Sequence, residues 1–177
     1  SEGKIFCDIA RKDQIENLTN NKEIKKINYD RPIRAFLQDS TSIINASIAW
    51  TRSISNTNLT GTGQTICIID TGINYSSPSL GGCFGNNNAS SNCKVLGGHD
   101  YENGDSNPID DNGHGTHAAG IAAANGTING VAPGAKLIAI KVLDSGGGGS
   151  TSDLISAINW CAGNASQFNI KVISSRA

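Results

Sequence analysis

The sequence predicts an α/β fold, a parallel sheet with helices on both faces, preceded by a small α/β unit that is cut short. Three observations predict it. The run Thr65-Ile66-Cys67-Ile68-Ile69 is apolar throughout instead of alternating, which suits a strand buried on both faces of a parallel sheet. Further apolar runs at Lys136–Val142 and Ile170–Ile173 are separated by helical patterns at His114–Ala124 and Ser152–Cys161. Alternation of strand and helix implies βαβ crossovers. Charge is also unevenly spread: residues 1–40 hold eight of the 14 Lys and Arg and seven of the 15 Asp and Glu. That shift places a boundary near residue 40.

Taken in order, Asp8 to Asn20 carries Ile9, Ile15 and Leu18 at roughly helical spacing, and Asn20-Asn21 is a stop signal. Short strands are expected at Glu23–Ile27 and, behind Pro32, at Ile33–Leu37. Ser40 to Thr60 is rich in Ser, Thr and Asn and reads as a surface connector with one helical turn, anchored by Ile44, Ile48 and Trp50. The strand at 65–69 ends on Asp70-Thr71-Gly72. A loop to Asn92 follows, then a short strand around Lys94-Val95-Leu96, then an acidic loop from Asp100 to Gly113. The next helix, from His114, is dense in small residues and is stopped by Asn125-Gly126. The last helix takes Ser152 as its expected N-cap and sets Leu154, Ile155, Ile158 and Cys161 on one side.

A formal net charge of -1 argues against nucleic acid or an anionic membrane as partner. No apolar run approaches the roughly 18 residues that span a bilayer. The five cysteines form no C-x-x-C pair, which weakens zinc and thioredoxin readings. Cys83 and Cys93 flank a polar loop, and a disulfide closing it is the preferred reading over two free thiols. Cys67, inside an apolar run, is expected as a buried small hydrophobe, and the pairing of Cys7, Cys67 and Cys161 is left open. Six N-x-[ST] sequons, at Asn17, Asn45, Asn58, Asn88, Asn125 and Asn164, are compatible with an exported protein.

Three features can carry chemistry. Asp70 ends a buried strand, where an unpaired carboxylate costs about several kcal/mol; it is either a loop-fixing cap or an orienting carboxylate at a site. Sites in parallel sheets lie at the carboxyl ends of the strands, where Asp70 stands. His114 opens a helix between two glycines, which leaves its ring accessible, and His117 should turn to that helix's buried side. The two histidines with Asp70 could instead hold a metal, but no further His or Cys is placed to complete such a site, so none is expected. Gly146 to Gly149 is either a flexible loop or a place of close backbone approach to an extended ligand. No Lys-Ser/Thr follows it, so it is not a phosphate loop.

Together these residues resemble one family. Ile68-Ile69-Asp70-Thr71-Gly72-Ile73 and His114-Gly115-Thr116-His117-Ala118-Ala119-Gly120 are similar to the first two active-site motifs of the subtilisin-like serine proteases. Gly130-Val131-Ala132-Pro133-Gly134-Ala135 and Ile140-Lys141-Val142-Leu143-Asp144 look like the segment that follows. The resemblance implies a subtilisin-like fold, incomplete over this stretch, with Asp70 orienting His114 and His114 acting as general base. It makes His117 a structural helix residue, Gly147, Gly148 and Gly149 the backbone that pairs with substrate, and Leu143 a wall of the substrate cleft. It implies a polypeptide substrate, export, no cofactor, and no calcium at the short Asn125–Gly130 turn. Residues 1–40 resemble the carboxyl part of an inhibitory pro-segment acting in cis, with self-cleavage near 38–41, and 41–177 the amino-terminal half of a catalytic domain.

The departures matter as much. No G-T-S-x-[AS] motif occurs, so the nucleophilic serine is missing, and so is the oxyanion-hole Asn; Ala162-Gly163-Asn164 is a decoy at a helix end. The first expectation is therefore a fragment of a serine endopeptidase, inert alone. The absence of an initiator Met fits a chain that starts mid-gene. The alternatives are one chain of a split protease completed by a Ser-bearing partner, or a non-catalytic binding or inhibitory module of protease ancestry. A strand at Ile170–Ile173 would then be an exposed edge, prone to aggregate.

Overall fold

The computed structural model describes Ile15, Asn21, Lys22, Ile24, Thr41 and residues 43–175. The chain divides into two units, Ser1–Ala35 and Phe36–Ala177. The sheet and its flanking helices belong to the second unit. The strand expected at 33–37, all of that at 23–27 but Ile24, and most of the helix at 8–20 lie outside the described residues.

A four-stranded parallel sheet forms the centre of the second unit. Its strands are β3 (Thr65–Asp70), β4 (Val95–Asp100), β5 (Lys136–Lys141) and β6 (Ile170–Ser175), in the spatial order β4-β5-β3-β6. A two-stranded hairpin, β1 (Ser53–Ile54) with β2 (Thr57–Asn58), precedes them. The helices are α1 (Ala46–Trp50), α2 (His114–Ala123), α3 (Thr151–Gly163) and the short α4 (Ala165–Phe168).

Strand period explains the two cores. Side chains alternate across a sheet, so Cys67 and Ile69 of β3 join Ile138 and Ile140 of β5 on the face covered by Ala157 and Cys161 of α3. Ile68, Leu137 and Ala139 face the other way, onto Ala119 and Ala123 of α2. Helices therefore cover both faces, as the unbroken apolar run at 65–69 requires. β6 ends the strand order and exposes Val172 and Ile173, the edge expected from the sequence.

Several local expectations are corrected. Cys67 is buried, but it is bonded to Cys161, which joins β3 to α3 across 94 residues. The Cys83–Cys93 disulfide closes the polar loop as expected. The N-cap of α3 is Ser150, whose hydroxyl oxygen accepts from the Asp153 N–H, and not Ser152. Ile155 and Ile158 are exposed: α3 meets the sheet along Ala157 and Cys161, an i, i+4 stripe that turns both isoleucines away. Ile44 and Ile48 are exposed too. In that connector Ala46 is buried and Trp50 donates its indole N–H to the Val131 carbonyl. β4 runs on to Asp100, well beyond the short strand expected, because its two glycines pass close beneath neighbouring backbone where no side chain would fit.

In a chain-entropy estimate, closing a loop of 94 residues stabilises by about 4–5 kcal/mol and one of 10 residues by about 2.5–3 kcal/mol. Replacing Cys67 and Cys161 by serine is therefore expected to lower the urea midpoint more than the same change at Cys83 and Cys93. Equilibrium unfolding of the two variants checks the order.

Candidate active site

The carboxyl ends of β3 and β5 and the start of α2 meet at one place, and Asp70 and His114 meet there. Asp70 is the last residue of β3 and is 1% exposed. His114 is the first residue of α2, with a ring 45% exposed. Its Nδ1 lies 2.7 Å from Asp70 Oδ1. That carboxylate oxygen also accepts the Thr71 N–H at 2.7 Å. A carboxylate can only accept, so the bond places the ring proton on Nδ1 and leaves the Nε2 lone pair free on a ring that water can reach.

Why the two elements come this close is written in Gly115. A Cβ on that residue would stand 2.2 Å from the Gly72 carbonyl oxygen and 3.1 Å from the Asp70 Cβ. Any side chain there would lift α2 off the end of β3 and part the pair. Glycine after His114 thus serves helix–strand approach, a different use from the ring access read from the sequence. The buried stripe of α2 is Gly115, Ala119 and Ala123, spaced by four. His117 stands between its first two members and is exposed, which corrects the expectation that it turns inward.

Asp110 organises the loop before His114. Its carboxylate accepts five hydrogen bonds: from the Thr71 hydroxyl, from the N–H groups of Asn112, Gly113 and Thr116, and from the Thr116 hydroxyl. The N-cap position, Gly113, has no side chain, so Asp110 supplies both the capping oxygen and the negative charge that a helix N-terminus favours. The Thr71 hydroxyl in turn accepts the Gly115 N–H at 2.9 Å. Burial pushes the Asp110 carboxyl up, but the Gly113 N–H, the Thr116 hydroxyl and the N–H groups of Asn112 and Thr116 outweigh it, and the group titrates below the ordinary aspartate value of 3.8. The sequence reading assigned Asp110 no role; an acidic residue three before a side-chain-free N-cap is the signal that could have found it.

The glycine run is an ordered turn, joined to the loop before His114 where the Asn112 side-chain amide donates to the Ser145 carbonyl. Leu143 and Gly149 form an antiparallel bridge. Asp144 Oδ1 accepts the N–H groups of Gly146 and Gly148, and the Gly147 N–H donates to the Asp144 carbonyl. A Cβ on Gly149 would meet the Val142 carbonyl oxygen at 2.3 Å, so the turn closes only on glycine. Two N–H groups of the predicted substrate-pairing segment, those of Gly147 and Gly148, are thus engaged within the turn. Leu143 is half-buried and packs against the core on the α3 side. Asn164 ends α3 and donates its side-chain amide to the Trp160 carbonyl.

Residues 61–175 match the family model described as the subtilase family. This chain belongs to the subtilase family. It is 36% identical over 149 residues to serine protease AprX of Bacillus subtilis (strain 168), a match that spans 81% of this chain and 30% of that protein. It is 42% identical over 106 residues to thermitase of Thermoactinomyces vulgaris, spanning 58% of this chain and 34% of that one. A solved cold-adapted subtilisin-like serine proteinase superposes with a TM-score of 0.51 at 34% identity, covering 64% of this chain and 37% of the other. The chain thus spans about a third of the length of such relatives, and its sheet and flanking helices are the subtilisin-like α/β fold.

Because the folded value for Asp110 is depressed, the stability it contributes is complete above pH 3.8 and is lost as pH falls through its folded titration. Asp110→Asn is expected to shrink the loss of unfolding midpoint between about pH 6 and about pH 3. Denaturation curves at the two pH values measure the difference.

Proposed function

We propose that this chain is the acid–base half of a serine endopeptidase that cleaves polypeptides with an Asp-His-Ser triad. The observation that carries the reading is the 2.7 Å bond between a fully buried carboxylate and a half-exposed imidazole at the carboxyl edge of the sheet. Asp70 holds the Nδ1–H and so fixes the tautomer. His114 Nε2 takes the serine hydroxyl proton as that oxygen attacks the scissile carbonyl, and returns it to the leaving amine. Asp70 stabilises the imidazolium between the two steps without itself becoming protonated. The serine and the oxyanion-hole Asn lie outside these 177 residues, either in continuing sequence or on a complementary chain.

Leu143 and the turn at Gly147–Gly149 border the cleft from the β5 side and are read as substrate-binding. An extended peptide would pair there by strand addition, using backbone groups other than the Gly147 and Gly148 N–H. Residues 1–40 are read as the carboxyl part of an inhibitory pro-segment acting in cis, with self-cleavage near 38–41. Two disulfides among the described residues support an oxidising, exported setting.

The chain alone is expected to be near-inert, since loss of the nucleophile costs about 10⁶ in kcat. Joined to a Ser-bearing remainder from its own gene, it should hydrolyse peptide amides and be silenced by serine-directed phosphonates. In that assembly Asp70→Asn should lower kcat by roughly 10⁴, the magnitude known from subtilisin itself and from unrelated triad proteases. Amidase activity that survives His114→Ala undiminished would refute the reading.

A further inference from the structure

We propose that Lys141 is a positioning residue for the Asp70–His114 pair, its ammonium clamping the loop that carries His114 to the carboxyl ends of β3 and β5. The proposal rests on the reading of that pair as the acid–base half of the site. Lys141 is 1% exposed and is the largest fully buried side chain among the described residues. Burying an ammonium is costly unless each proton finds an acceptor. Here the three protons go to three segments: the Thr71 carbonyl at 3.1 Å, Asp111 Oδ1 at 2.8 Å and the Leu143 carbonyl at 2.7 Å. Asp111 is the matching charge, and its side chain is 49% exposed.

A core with no other task has little reason to keep such a group, because an apolar side chain of similar volume often serves stability as well or better. The acceptors show what the charge is for. Thr71 is the residue whose N–H grips Asp70 Oδ1, and Asp111 stands three residues before His114. Lys141 therefore closes a ring that runs through Thr71, Asp70, His114, the 111–113 loop and back through Asp111. The ring is stitched a second time at β5, where the Asp70 carbonyl accepts the Val142 N–H at 3.0 Å. In the sheet register Asp70, Lys141 and Asp100 form one row across β3, β5 and β4, and none is more than 2% exposed. Asp110, through the Thr71 hydroxyl, offers a parallel hold on the same loop. Loss of Lys141 should thus loosen the pair without abolishing it.

The test uses this chain, whose three histidines make the His114 Nδ1–H proton assignable by NMR. In Lys141→Met and in Asp111→Ala that proton is expected to exchange with solvent about tenfold faster, while the amides of α3 keep their wild-type rates. Wild-type exchange at His114 in the folded variants overturns the proposal, as does an acceleration shared equally by α3, which would mark a general loss of stability. Should Lys141→Met fail to fold, Asp111→Ala decides by the same two outcomes, since its half-exposed side chain is removed without opening the core. A wild-type resonance that is unmoved by Asp70→Asn would instead overturn the bond to Asp70, and with it both the protease reading and this proposal.

Discussion

A single hydrogen bond sets the requirements for much of this molecule. For His114 Nδ1 to reach Asp70 Oδ1 at 2.7 Å, a helix must begin almost in contact with the end of a strand. That contact demands a residue without a side chain at Gly115. The N-cap Gly113 has no side chain, so the first three N–H groups of α2 go to the Asn112 side chain, the Thr71 hydroxyl and Asp110 in turn. The carboxylate at the centre is out of water, where only hydrogen bonds and a charged or polarisable partner make it tolerable. Thr71 joins these demands: its N–H serves Asp70, its hydroxyl joins Asp110 to Gly115, and its carbonyl takes a proton of Lys141.

Periodicity made the frame of the fold legible. The mainly apolar runs at 65–69 and 136–142 suit strands buried on both sides, and they form the centre of the sheet. Asp70 and His114 are legible because a charged or ionisable residue at a strand end or helix start is out of place unless it is used. The length of β4 is hidden because Gly97, Gly98 and His99 carry no strand signature; at the two glycines close neighbours leave no room for a side chain. Ile155 and Ile158 mislead because an apolar count does not reveal which stripe of a helix faces the sheet. On α3 the small residues Ala157 and Cys161 take that place.

Asp110 and Lys141 mark a different limit. Asp110 is one of several acids in a polar loop, and Lys141, although a charge at a strand end like Asp70, shows nothing in sequence of the partners it holds. Lys141 draws on segments 30 and 70 residues away, and Asp110 adds Thr71, 39 residues back, to its local bonds; no local pattern encodes those distant partners. The Cys67–Cys161 pairing is hidden for the same reason. Five cysteines permit many connectivities, and the contact that selects this one exists only after α3 has packed on β3.

That covalent tie makes the two faces of the sheet unequal. α3 is riveted to β3 through sulfur, whereas α2 is held by a glycine, small alanines and the hydrogen bonds at its first turn, with little apolar area buried for each turn of helix. On warming, the face that bears the imidazole is the one free to lift first, while its counterpart stays fastened. Heat would then part the Asp70–His114 pair before it erases the fold, so the site would come undone at a temperature below the one at which the backbone melts.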